Sequence, residues 1–227
     1  MINKIVFDFG GVICDFKLNE YFSSQGYGSE DIEFITKNIF GGEEWQRGMD
    51  LGTLTLEEMR QKLQEKYSDK IDIINAVVDT DIKYIIPLRM NVIEYIKELR
   101  EKGYLIYGLS NLSAHVHESF NNQYKGFDNL FDGITASYVV GAIKPASKET
   151  PNLDMSDTKI YDTFFRENHI KPSTALFIDD SEHNIRMGQV LGMSGIQWSK
   201  IDTLDMIKSK VNEAMSKSSS DKGELYK

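Results

Sequence analysis

One cysteine, four prolines and no long apolar run set the first limits on this 227-residue chain. A single thiol, Cys14, cannot close an internal disulfide, so the fold does not draw on an oxidising compartment. At the end of an apolar stretch it reads as a small core residue and not as a nucleophile. No segment approaches the ~18 uninterrupted apolar residues of a membrane helix. The N-terminal MINKIVFDFGGVIC is broken by Asp8 too early for a signal-peptide core. Positive charge is short as well: 26 Lys and Arg face 35 Asp and Glu, a formal net charge of −9, and no basic stripe reverses the field locally. Such a chain repels polyanions, which argues against nucleic acid as a partner. The expectation is a cytoplasmic protein without a membrane or nucleic-acid partner, its oligomeric state open.

The apolar fraction of 41% and charged fraction of 27% are ordinary for a globular domain. Four short apolar runs organise it: Ile5-Val6-Phe7 up to Asp8; Leu105 to Leu109, ending at Ser110-Asn111; Gly133 to Val140, leading to Lys144-Pro145; and Ala175 to Ile178, ending at Asp179-Asp180. Near-continuous runs of this length suit strands buried on both faces of a parallel sheet. Helical patterns alternate with them at 91–102, 159–168, 184–191 and 204–215. The spacing predicts an α/β fold, a Rossmann-like doubly wound parallel sheet. Residues 15–86 break that rhythm: they are polar and helix-prone, with Thr55 placed as the cap of a helix start. They read as an inserted small α-helical subdomain, leaving 1–14 and 87–215 for the core. Residues 216–227, with three consecutive serines, read as a disordered tail.

Every run ends in polar residues at the edge where open parallel sheets bind ligands. The set is Asp8, then Ser110 and Asn111, then Lys144, then Asp179 and Asp180. Carboxylates suit a hard cation, while lysine, hydroxyl and backbone N–H groups suit phosphate oxygens. Each piece alone also has an ordinary meaning as a turn, a cap or a surface loop. Order and placement together carry the weight.

The segment Ile5 to Ile13 resembles the first motif of the haloacid dehalogenase-like (HAD) hydrolase superfamily. Leu109-Ser110-Asn111 resembles its second motif, Gly141-Ala142-Ile143-Lys144-Pro145 its third, and Phe177 to Ile185 its fourth. The match spans residues 4 to about 198, and the helical insert stands where that superfamily carries a cap. The Asp-Phe-Gly-Gly-Val form and Glu44-Trp45-Gln46-Arg47-Gly48 are most similar to its small-capped phosphatases. That group includes α-D-glucose-1-phosphate phosphatase and the N-terminal domain of soluble epoxide hydrolases. The resemblance implies a Mg²⁺-dependent phosphatase of a small phosphorylated metabolite, with a sugar phosphate favoured and a sugar 1-phosphate as the finer expectation. It implies Asp8 as nucleophile and Mg²⁺ held by Asp8, the Gly10 carbonyl, Asp179 and Asp180. Ser110, Asn111 and Lys144 would hold phosphate, with Trp45 and Arg47 recognising substrate from the cap.

Two departures stand out. Many phosphatases of the superfamily carry a second Asp two residues after the nucleophile to protonate the leaving oxygen; here that position is Gly10, and the absence of a general acid costs on the order of 10²–10⁴ in rate. Substrates with an already acidic leaving group are therefore expected. The stretch 146–159 after Lys144 is longer than the family pattern and reads as a surface loop. His115 and His117 suggest a solvated helix face, with a leaving-group contact as the sharper alternative, and His183 sits in the loop of the fourth motif, beside the expected metal site without touching it. Trp45 and Arg47 have a packing reading beside the substrate one. Two rival functions remain: a dehalogenase-type hydrolase, and a non-catalytic phosphometabolite-binding module.

Overall fold

The computed structural model describes residues 1–144 and 158–220. Strand β1 (Lys4–Phe7) lies at the centre of a five-stranded sheet. On one side are β2 (Leu105–Ser110) and β3 (Gly133–Ala136); on the other are β4 (Ala175–Asp179) and β5 (Ser194–Gln197). All four pairings are parallel, and Phe7 stands level with both Gly108 and Ile178. The expected doubly wound α/β sheet is what the chain forms.

Alternation along the strands divides the core. Ile5, Phe7, Leu176 and Ile178 face one cluster, shared with Val92, Ile93 and Ile96 of α5 (Met90–Glu101) and with Ile207 and Val211 of α10 (Leu204–Ser220). Val6, Tyr107, Leu109 and Phe177 face the other, shared with α8 (Lys159–Glu167) and α9 (Glu182–Val190). Ile5, Val6 and Phe7 are fully buried, the reason β1 reads as an unbroken apolar run.

Between β1 and β2 the chain makes α1 (Leu18–Ser24), α2 (Ser29–Phe34), α3 (Leu56–Lys66) and α4 (Ile71–Val78), with π-helical turns at Ile35–Phe40 and Glu44–Met49. The expected cap of α3 is present in full: Glu58 N–H donates to Thr55 Oγ1 at 3.2 Å and Thr55 N–H donates to Glu58 Oε2 at 2.8 Å. The strands that leave and re-enter the core pair antiparallel: Asp15 N–H donates to Pro87 C=O, Lys17 N–H to Ile85 C=O and Arg89 N–H to Ile13 C=O. Arg89 reinforces this crossing, binding Asp15 Oδ1 through Nε at 2.6 Å and the Gly11 carbonyl through a terminal nitrogen at 2.7 Å. Further on come α6 (Ala114–Gln123) and the short α7 (Ser137–Val140).

Three expectations change. The third apolar run is a strand only to Ala136; Ser137 to Val140 turn into α7, because Ser137 Oγ accepts the Leu112 N–H at 2.9 Å and donates to the Asp50 carbonyl at 2.5 Å. Strand β5 was not foreseen, since in Ser-Gly-Ile-Gln only Ile196 is buried and no apolar run marks it. The tail expected over 216–227 is helical to Ser220: Ile207, Val211 and Met215 repeat every four residues into the core, and Ser218 Oγ accepts the Ile2 N–H at 2.6 Å. The rest of that tail and most of the 146–159 loop lie outside the described residues. Among the described residues no helix is long and apolar enough to cross a membrane.

The helical insert touches the core again at Gly52, whose φ is +69° and where a Cβ would stand 2.5 Å from the Tyr138 carbonyl oxygen. Gly52→Ala adds backbone strain to a clash with main chain that has nowhere to move. It is expected to cost about 1–3 kcal/mol, read as a lower urea midpoint at unchanged m.

Candidate active site

The strand order reverses between β1 and β4, so the crevice beyond their carboxyl ends is where such a sheet opens. Asp8 follows β1 directly, its N–H donating to the Ile178 carbonyl at 2.9 Å, which carries the ladder one residue further and sets Asp8 opposite Asp179. Residues 171 positions apart thus meet because two parallel strands end together.

Lys144 stands between them. Its ammonium lies 2.8 Å from Asp8 Oδ1 and 2.6 Å from Asp179 Oδ2, with all three side chains buried. A carboxylate oxygen from each of Asp8, Asp179 and Asp180 lies within 4.8 Å of the others. Three carboxylates therefore share one ammonium. The two carboxylates in contact hold the Lys144 pKa above its ordinary value despite burial. Burial raises Asp8 to about 7, an effect that the Lys144 ammonium only partly offsets and the Asp179 charge adds to. Asp180 is raised too, by burial and then by Asp179. Lys144 keeps its proton, and burial, reinforced by the Asp179 charge, makes Asp8 the group that tends to take one. A divalent cation supplies the positive charge this cluster lacks, and its all-oxygen donor set suits a hard ion.

Neighbouring groups orient the cluster. Asn184 Nδ2 donates to both Asp179 oxygens at 3.1 Å, and the Ser181 N–H donates to Oδ1 at 2.8 Å. Asn184 Oδ1 is buried and has no donor among the described residues. Phe9 N–H donates to Asp8 Oδ1 at 2.7 Å, and the Ser110 hydroxyl, which donates to the Asn111 carbonyl at 3.3 Å, is near enough to Asp8 to lower its pKa. Asn111 ties the second and third loops together, accepting from Lys144 N–H at 2.6 Å and donating to the Lys144 carbonyl at 3.0 Å. Gly11, at φ +67°, leaves the space that Asp180 fills: a Cβ there would stand 2.5 Å from Asp180 Oδ2.

The model of the haloacid dehalogenase-like hydrolases matches residues 2–192. The chain belongs to that family. It is 28% identical over 208 residues to the D-ribitol-5-phosphate phosphatase of Bacteroides thetaiotaomicron, an alignment covering 87% of this chain and 92% of that one. The HAD family enzyme bt-2542 of the same organism, solved with magnesium and inorganic phosphate, superposes with a TM-score of 0.67 at 23% identity, over 91% of this chain and 99% of that one. The L-2-haloacid dehalogenase of Xanthobacter autotrophicus shares the fold at 14% identity and a TM-score of 0.58, over 94% of this chain and 83% of that one.

Of the residues singled out in the sequence of this HAD-like hydrolase, Asp8, Ser110, Asn111, Lys144, Asp179 and Asp180 come together. Gly10 lies in the loop that follows Asp8. Trp45 does not reach them as an open contact: it is buried in the insert against Phe40, ring centroids 4.5 Å apart, while Arg47 is exposed. His117 is no solvated residue, since its two ring nitrogens meet the Tyr138 hydroxyl at 3.1 Å and Asp128 Oδ1 at 2.7 Å. His115 is half-buried, and burial lowers its pKa. Cys14 is buried as expected, and burial pushes its thiol far up. Two residues escaped sequence reasoning, Asn184 and Arg89. Asn184 falls within the fourth motif, so its spacing from Asp179 was the available signal; Arg89 had none, because its partners Gly11 and Asp15 are distant in the chain.

The raised Asp8 pKa has a consequence for the cation-free protein. The folded state binds a proton that the unfolded chain, at 3.8, has released, so this group's contribution to stability falls as pH rises from about 4 to about 7 and then levels off. In chelator at pH 8, Asp8→Asn is expected to raise the thermal midpoint above that of the wild type. At pH 4 the two proteins should melt together.

Proposed function

We propose that this HAD-like hydrolase is a Mg²⁺-dependent phosphatase of a small phosphorylated metabolite. The observation that carries the reading is the cluster of buried Asp8, Asp179 and Lys144 with the exposed Asp180 beside them, whose negative excess matches a divalent cation. Asp8, Asp179, Asp180 and the Gly10 carbonyl are the groups that would hold Mg²⁺. Bound there, the ion neutralises charge that otherwise sets a carboxylate against a phosphate.

Asp8 is the nucleophile. Its free oxygen attacks phosphorus, the bond to the leaving oxygen breaks, and the phosphoryl group passes to the carboxylate as an aspartyl-phosphate. The Lys144 ammonium already contacts Asp8, and the Ser110 hydroxyl lies beside it. They are placed to hold the non-bridging oxygens, with charge-assisted bonds worth roughly 1.5–3 kcal/mol each. Asn111 fixes the Lys144 main chain, which makes it a positioning residue for that ammonium. Water then hydrolyses the acyl phosphate and frees Asp8. The helices at 18–84 serve as the cap over the strand ends, with the paired linkers at 13–17 and 85–89 as its hinge.

A dehalogenase-type hydrolase attacks carbon and has no use for a second acidic strand end, so Asp179 and Asp180 favour phosphoryl chemistry. A binding module has no use for Asp8. Gly10 offers no acid, and the substrates that suit it are those with an acidic leaving oxygen, sugar 1-phosphates among them. The related ribitol-5-phosphate phosphatase is named for an ester of a primary alcohol, so the pairing of 1-phosphates with 6-phosphates decides this finer point.

Phosphate release from a panel of esters, with Mg²⁺ and with chelator, tests the reading. The expected outcome is metal-dependent release that Asp8→Asn lowers by at least about 10³-fold. Release that survives in the variant or in chelator would overturn it. Within the panel, a 1-phosphate hydrolysed more slowly than its matched 6-phosphate would remove the leaving-group argument. Lys144→Met is expected to lose about as much as Asp8→Asn, because it strands two buried carboxylates as well as removing a phosphate contact.

A further inference from the structure

Phe16 is a large apolar side chain that remains 60% exposed. It belongs to neither apolar cluster. Its backbone is fixed nevertheless, because the residues on either side, Asp15 and Lys17, both donate to the returning linker. The ring is directed at Gly10: a Cβ built on that glycine would stand 3.1 Å from Phe16 Cζ and 3.2 Å from Cε2. Phe16 also lines one groove with Gly11, Asp180, Arg89 and Trp198. An exposed ring held against the loop of the nucleophile, in a groove reaching a metal-competent carboxylate, is a surface that awaits an apolar partner.

We propose that Phe16 determines leaving-group specificity, its ring taking the flat apolar face of a cyclic leaving group, either an aryl ring or the C–H face of a sugar ring. The inference rests on the phosphatase reading and deepens it. Where an acid would otherwise rise from position 10, the chain places an aromatic wall, so the site holds its leaving group by stacking and not by proton donation. An open-chain polyol presents no such face and gains little from the ring. The glycine and the phenylalanine are one device: any side chain at position 10 must push the ring aside.

Binding without turnover tests this. In the presence of Mg²⁺, phenylphosphonate is expected to bind the wild-type protein about tenfold more tightly than methylphosphonate. Phe16→Ala should erase that ratio by weakening phenylphosphonate alone, and Phe16→Tyr should restore it. Phe16 is on the surface, so these variants are expected to fold. In hydrolysis, Phe16→Ala should raise KM for phenyl phosphate and a sugar 1-phosphate about tenfold while sparing an open-chain polyol phosphate. Equal ratios in wild type and Phe16→Ala would overturn the inference and leave Asp8-dependent hydrolysis standing. A retained phenyl preference with no hydrolysis of any ester would overturn the phosphatase reading and leave Phe16 as a ligand-binding residue.

Discussion

The ammonium of Lys144, buried between Asp8 and Asp179, is the interaction on which the site depends. A lone buried ammonium or a lone buried carboxylate is costly, and neither is held here without the other. The lysine arrives from the loop after β3, whereas its two partners end β1 and β4. The pair of contacts therefore draws three strand ends into one volume. Asn111 secures the arrangement from β2 by binding both main-chain polar groups of Lys144. All the strands that meet at the crevice contribute a polar group, and each such group is bonded to one from another strand.

The cluster is deliberately one cation short. Three carboxylates and one ammonium leave negative charge in a desolvated place, expressed in the upward shifts of Asp8 and Asp180. That imbalance is a functional property, not a structural fault. On the proposed phosphatase reading it would make the site receptive to a hard divalent ion, with Asp8 as the nucleophile beside it. Asn184 and the Ser181 N–H keep Asp179 aimed while this happens.

The insert is joined to this centre through a narrow crossing. Paired main-chain bonds between 13–17 and 85–89 carry it, and Arg89 bolts the crossing to Gly11 and Asp15. Phe16 and Gly10 lie at the same crossing, so the surface proposed to face the leaving group and the linkers of the insert are built from neighbouring residues.

Much of this was legible in the chain itself. Buried parallel strands need apolar residues on both faces, so β1, β2 and β4 announce themselves as runs, and their polar ends mark the crevice. Thr55 and Glu58 state the start of α3 because capping is a local interaction. Strand β5 was silent, since an edge strand with one buried residue carries no periodic signal. The end of β3 was misplaced because Ser137 leaves the strand to serve Leu112 and Asp50, partners far away in sequence. Local patterning thus determined the element types, the α/β class and the identity of the strand-end residues. Only the tertiary structure decided that Trp45 packs the insert, that His117 is spent on Tyr138 and Asp128, that Arg89 locks the crossing and that Phe16 covers Gly10. The contacts of Arg89 and His117 join residues distant in the chain, and those of Trp45 and Phe16, though near in sequence, depend on how the chain folds back on itself; one side chain's spacing holds no record of which partner it will meet.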